Sequence, residues 1–136
     1  MNINAISRRM GSLLLIGGLI MSFSVADPFA NVVTALGKGN VDGLAQYFDN
    51  MIEINLPTGT NSYSKSQAVV ILKEFFSTNA VKSFKLIHKG SSGEGSSYGI
   101  GSLVTSQGTY RTTFSFHQKG NSLVLQELRF EKKKSE

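Results

Sequence analysis

The chain of 136 residues contains no cysteine. Disulfide staples, thiol nucleophiles and cysteine-ligated metal sites are therefore excluded, and so is a lipid anchor on a cysteine after a leader. Two histidines are present, His88 and His117. Residue parity along the strands read below puts them on opposite sheet faces, so no shared metal is expected of them. No apolar run is long enough to span a bilayer. The pattern Gly-x-Ser-x-Gly occurs at Gly95-Ser96-Ser97-Tyr98-Gly99, but no strand-to-helix turn follows it, so a hydrolase elbow is not expected. The segment Gly93-Glu94-Gly95-Ser96-Ser97-Tyr98 starts like a dinucleotide loop but has Tyr98 where the third glycine belongs. It also joins two strands, with no helix N-terminus to receive a phosphate. Lys132-Lys133-Lys134 is basic but has no aromatic residues among it, so a base-stacking nucleic-acid surface is not expected.

Several local signals are strong. Arg8 and Arg9 precede the apolar stretch Gly11–Met21, and Ser24-Val25-Ala26 offers small residues at both positions that a signal peptidase reads. This is the pattern of a cleaved leader, residues 1–26, leaving a single domain of residues 27–136. The expected location is bacterial and exported, periplasmic or extracellular, with no stable membrane anchor. Loss of Arg8 and Arg9 lowers the formal charge from +5 to +3. A domain of this size without disulfides depends on its core or on self-association for stability.

Asp27-Pro28 reads as a helix cap followed by proline at the first helical position, with Phe29, Val32, Val33 and Leu36 at helical spacing. Gly37 or Gly39 ends that helix, and Asn40 caps a second one running to Phe48. Met51–Leu56 alternates as a strand and stops at Pro57, after which Thr58–Tyr63 reads as a polar loop. Ser64 and Gln67 form a capping box before the stripe Ala68, Val69, Leu72, Phe75 and Phe76, which Asn79 closes. Four strand-like runs follow, Val81–Lys89, Ser97–Ser106, Thr109–Lys119 and Ser122–Glu131, separated by hairpin breaks. The order is helix, helix, strand, helix, four strands, an α+β fold.

Read by parity, the even-numbered face of the four-stranded meander is the one the helices cover. It holds Phe84, Leu86, Ile100, Val104, Phe114, Phe116, Val124, Leu128 and Phe130. The odd-numbered face carries Lys85, Lys89, Arg111, Glu127, Arg129 and Glu131, together with Ile87, Leu103, Leu123 and Leu125. Four large aliphatics on a face otherwise exposed to solvent predict a homodimer joined there. Gly99 and Gly101 fall on the same odd face and predict a bend in the sheet.

Asp27-Pro28-Phe29, Tyr47-Phe48-Asp49-Asn50, the run from Phe84 to Gly93, and Gln126-Glu127-Leu128-Arg129-Phe130-Glu131 resemble an uncharacterised family of exported bacterial domains. That family lies in the nuclear-transport-factor-2-like, or cystatin-like, superfamily. The resemblance covers the whole chain after residue 26. It implies a cone in which three helices pack on a strongly curved, mainly antiparallel sheet, with a possible pocket inside and a dimer. Superfamily enzymes include ketosteroid isomerase and scytalone dehydratase, whereas many members only bind small molecules or dimerise, so no activity follows from it.

Within such a cone, Phe84, Phe114, Phe116 and Leu128 are expected to floor a pocket. Tyr98, Tyr110, Thr112 and Gln126 are expected to offer hydrogen bonds to a small apolar ligand. The expected role is a non-catalytic ligand-binding or dimerisation module without cofactor. The alternative is a small isomerase or dehydratase using a pocket carboxylate. Its candidates are Asp49, at the joint before the first strand, and Glu53, on that strand opposite Ile52 and Ile54.

Overall fold

A computed structural model describes residues 27–134. The expected leader, residues 1–26, and the expected cleavage point before Asp27 lie outside the described residues.

Helix α1 spans Pro28–Lys38. The Asp27 carboxylate accepts from the Phe29 and Ala30 amides, and Gly39 closes the helix in the left-handed region at φ 61°. Asn40 caps the short α2, Val41–Ala45, which stops before Phe48 because the chain enters β1, Phe48–Leu56. The stretch expected to be a loop is a strand, β2, Gly59–Ser64, paired antiparallel to β1 from Leu56↔Gly59 to Met51↔Ser64. Its residues are polar because it is an edge strand lacking an apolar face of its own, so alternation could not reveal it. Helix α3, Lys65–Thr78, starts on the expected Ser64–Gln67 capping box. Strands β3, Val81–Gly93, β4, Ser96–Thr105, β5, Gly108–Lys119, and β6, Ser122–Lys132, complete one curved sheet of order β2-β1-β6-β5-β4-β3. Among the described strands, only β1 and β6 run parallel. None of the described helices is long and apolar enough to cross a membrane.

The helices lie on one face of the sheet over Ile52, Ile54, Phe114, Phe116, Leu128 and Phe130, which are at most 1% exposed. Val32 and Leu36 of α1, Leu44 of α2 and Leu72 of α3 meet them there. Burying these side chains stabilises the fold by about 1.5–3 kcal/mol each before entropy is counted.

The parity reading fails in β4 and in part of β3 and β6. A two-residue hairpin pairs residue i with i+3, as in Thr105↔Gly108 and Lys119↔Ser122, and those numbers differ in parity. The inward set of β4 is therefore Gly99, Gly101, Leu103 and Thr105, all buried. Ile100, Val104 and Val124 point outward and take no part in the core. In β6 a register shift between Ser115 and Phe116 leaves Gln126 as an extra residue. Leu125 beyond that bulge turns inward alongside Leu128 and Phe130.

The proposed outer dimer patch is thereby corrected. Leu103 and Leu125 are fully buried, Leu123 packs against the core, and of the four only Ile87 is exposed, at 63%. Gly99 and Gly101 also change face. They lie inside, and the rings of Phe114 and Phe84 occupy the space their missing side chains leave.

Candidate functional site

The expected pocket does not assemble. Phe114, Phe116 and Leu128 are sealed in the core, with Phe29 of α1 5.0 Å from Phe114 and 6.3 Å from Phe116, centroid to centroid. Phe84 closes the same cluster from β3, 6.5 Å from Phe114. The Tyr110 hydroxyl donates to Asn79 Oδ1 at 2.8 Å, and Asn79 Nδ2 donates to the Phe75 carbonyl at 3.0 Å. That chain satisfies a buried tyrosine and a buried asparagine without a ligand. Thr112 is buried and directs its hydroxyl at the Tyr110 carbonyl. Tyr98 and Gln126 are not inside at all. Tyr98 projects from the outer face, its hydroxyl 3.3 Å from His88 Nε2, and Gln126 is the exposed bulge residue.

His88 and His117 also share the outer face, against the parity expectation, because the register shift between Leu86 and His88 turns the end of β3 over. His117 Nδ1 lies 3.1 Å from Ser96 Oγ. Among the described residues no three His, Asp or Glu side chains gather as metal ligands would.

Neither carboxylate candidate is buried. Glu53 faces outward in parallel register with Glu127 and does not reach the interior. Asp49 lies near the start of β1, where Lys119 Nζ approaches one oxygen at 3.0 Å and Gln126 Nε2 the other at 3.1 Å. The Asn50 amide adds a third donor at 2.8 Å. The Lys119 and Gln126 hydrogen bonds, with the Asn50 amide, lower the Asp49 pKa from the ordinary 3.8 to about 2. A carboxylate so poised is a permanent anion at neutral pH and a weak base. It ties β1 to the β5–β6 hairpin.

A pH dependence follows from that tie. The folded-state pKa is depressed, so the stabilisation is present above about pH 4 and is lost as pH falls toward 2. Lys119 is 58% exposed, which screens the pair and limits the effect to about 1 kcal/mol. Asp49→Asn is expected to cost about that much in denaturant unfolding at pH 6 and almost nothing at pH 2. An equal cost at both values would assign Asp49 a role other than its charge.

Two openings border the two ends of β1. Beside Asp49 is a cleft of about 640 Å³ lined by Tyr47, Lys65, Lys119 and Ser122, among others, and it is wide and polar. At the opposite end of β1, a recess of about 350 Å³ lies between the β1–β2 hairpin and α3. Leu56, Pro57, Tyr63, Ile71, Phe75 and Tyr110 give it apolar walls; Thr58, Glu74, Thr78 and Asn79 supply polar groups. Tyr110 is the one expected pocket residue that reaches it. The sequence does not reveal the others, because β2 is a polar edge strand with no alternation to mark it. Ile71, lying off the core stripe of α3, was the available signal.

Three comparisons bear on identity. The family model described as Domain of unknown function (DUF4783) matches residues 29–131. The structure is similar to a crystallised DUF4783 family protein from Bacteroides ovatus, at 27% identity and a TM-score of 0.74, covering 78% of this chain and 96% of that one. At the level of fold it is similar to a domain of unknown function with a cystatin-like fold from Nostoc punctiforme. That match has 10% identity, a TM-score of 0.62, and coverage of 79% of this chain and 74% of the other. An NTF2-like protein of unknown function from Cytophaga hutchinsonii gives 15% identity and a TM-score of 0.54, covering 82% and 95%. A search of curated proteins finds no significant match. The curved α+β sheet is thus of the nuclear-transport-factor-2-like, cystatin-like kind, and the chain belongs to the DUF4783 family.

Proposed function

We propose that this domain is a non-catalytic binding module that takes a small apolar ligand at the mouth recess rather than inside the cone. The observation that carries this reading is the recess itself. It is an apolar-walled hollow of about 350 Å³, beside an interior filled by phenylalanine rings. Pockets of this size with apolar walls and a few polar groups are typical small-molecule sites. Neither Asp49 nor Glu53 borders the recess, and Asp49 stands near the other end of β1, some 20 Å away at about 3.3 Å per residue. The isomerase or dehydratase alternative therefore lacks its pocket carboxylate at those positions. Glu74, the carboxylate that does border the recess, is exposed to solvent. Export of the domain remains part of the proposal through its leader pattern.

The uncharged solvatochromic dye Nile red provides the test. The wild-type protein is expected to bind it with blue-shifted emission. Ile71→Lys, at a half-buried wall position where the ammonium reaches water, is expected to weaken binding at least tenfold without loss of fold. Equal binding by wild type and Ile71→Lys would remove the recess as the site.

A further inference from the structure

We infer that two copies of this chain associate through the free edge of β2, placing the two strands antiparallel across a two-fold axis and continuing the sheet from one protomer into the other. This goes beyond the ligand-binding reading and stands or falls independently of it.

The argument begins with what protects each surface. β2 is outermost in the sheet and pairs with β1 alone, so one row of its backbone donors and acceptors is open. Residues 59–62 are exposed, and nothing from residue 59 to residue 64 is charged or is proline. Natural edge strands are normally blunted by lysine, proline, bulges or a covering element. The other edge, β3, is protected in this way. It carries Lys82, Lys85 and Lys89 and is interrupted by three register shifts. Two β3 edges brought together would set lysines against lysines, whereas two β2 edges meet without repulsion at any position. The outer sheet face is no better suited, because Arg111, Glu127, Arg129 and Glu131 cover it.

An adjoining apolar surface extends the contact. Val70 of α3 is 64% exposed, the largest exposure among the big hydrophobic residues of the described chain. With Tyr63, Gln67 and Ile71 it lines a shallow hollow of about 280 Å³ directly beside the edge. A specific interface needs about 1,000 Å² in total, more than six strand residues supply alone. The flank of α3 provides the remainder, and a neighbouring β2 brings side chains over that hollow. The partner strand would then also border the mouth recess, which shares Tyr63 and Ile71 with the hollow.

Because the chain lacks cysteine, self-crosslinking reads the geometry directly. In an antiparallel two-fold pair, the residue nearest the axis faces its own copy at a Cα separation of about 4.5–5.5 Å, within disulfide range. Single variants Thr60→Cys, Asn61→Cys and Ser62→Cys are oxidised mildly, with Ile87→Cys on the other edge as control. One β2 position is expected to crosslink at least ten times faster than the control. In parallel, sedimentation of the wild-type chain is expected to show a dimer at micromolar concentration. Asn61→Lys is expected to weaken it at least tenfold, with an unchanged melting temperature when both chains are dilute enough to be monomeric. A wild type that stays monomeric at several hundred micromolar, or a dimer in which no β2 cysteine crosslinks above the control, overturns the proposal.

Discussion

Gly101→Ala is expected to destabilise the domain by about 3 kcal/mol, although it adds a single methyl group. A Cβ at Gly101 would sit 2.6 Å from the Lys85 carbonyl oxygen and would enter the ring of Phe84. Phe84 can rotate at some cost, but the carbonyl cannot move away. It belongs to β3, which is hydrogen-bonded to β4 across Leu86↔Gly101. Parting the strands to admit the methyl breaks ladder bonds in a buried region. Gly37→Ala provides the opposite sign. Its Cβ would meet nothing nearer than the Phe84 amide at 3.8 Å, and it lies within α1, where alanine is worth about 0.5–1 kcal/mol over glycine. Thermal unfolding should place Gly101→Ala well over 10 °C below wild type and Gly37→Ala a few degrees above, at about 4–8 °C per kcal/mol for a domain this small. A neutral Gly101→Ala would mean that β3 and β4 do not approach as described.

Phe114→Ala is the second large effect, with an expected loss of about 3–5 kcal/mol. Phe114 is fully buried, and its ring meets Phe29 at 5.0 Å, Phe116 at 6.0 Å and Phe84 at 6.5 Å between centroids. Removing it takes from α1 its main aromatic contact with the sheet, so α1 should loosen first. The same ring covers Gly99, where a Cβ would come within 2.7 Å of Phe114 Cε1 and 2.9 Å of Phe29 Cζ. Gly99→Ala in the wild-type background is therefore a clash, and in the Phe114→Ala background the space is partly free. The double variant should lose at least 1 kcal/mol less than the two single variants combined, beyond the usual additivity error. Additive losses in denaturant unfolding would contradict the packing of Phe114 on Gly99.

These glycines show where the sequence was legible and where it was not. Helix starts were legible because caps act over a few residues: Asp27, Asn40, and Ser64 with Gln67 each make the hydrogen bonds their types suggest. The meander was legible because its breaks are short and glycine-containing. The facing of its strands was not, because parity is inherited through the hairpins. Each two-residue turn inverts it, and the bulge at Gln126 inverts it again within β6. That is why Leu103 and Leu125, read as an outer patch, are core residues, and why Tyr98, read as a pocket hydroxyl, faces out. β2 was illegible for a different reason. An exposed edge strand needs no apolar face, so Gly59–Ser64 carries no period to detect. The mouth recess went unseen with it, since the β1–β2 hairpin forms one of its walls.

The surroundings of Asp49 were not legible in the sequence. It stands near the start of β1, and its partners are a lysine and an amide that hold it ionised. Those partners come from Lys119 and Gln126, some seventy residues further along the chain, and no local pattern around Asp49 announces them.

The central claim, that this domain receives a ligand at the mouth and not within its filled cone, is tested most directly by mapping amide chemical shifts during titration with Nile red. Shifts are expected to concentrate on residues 56–63 and 71–79 and on Tyr110. Shifts centred instead on Phe84, Phe114, Phe116 and Leu128 would contradict the claim and place the ligand in the interior.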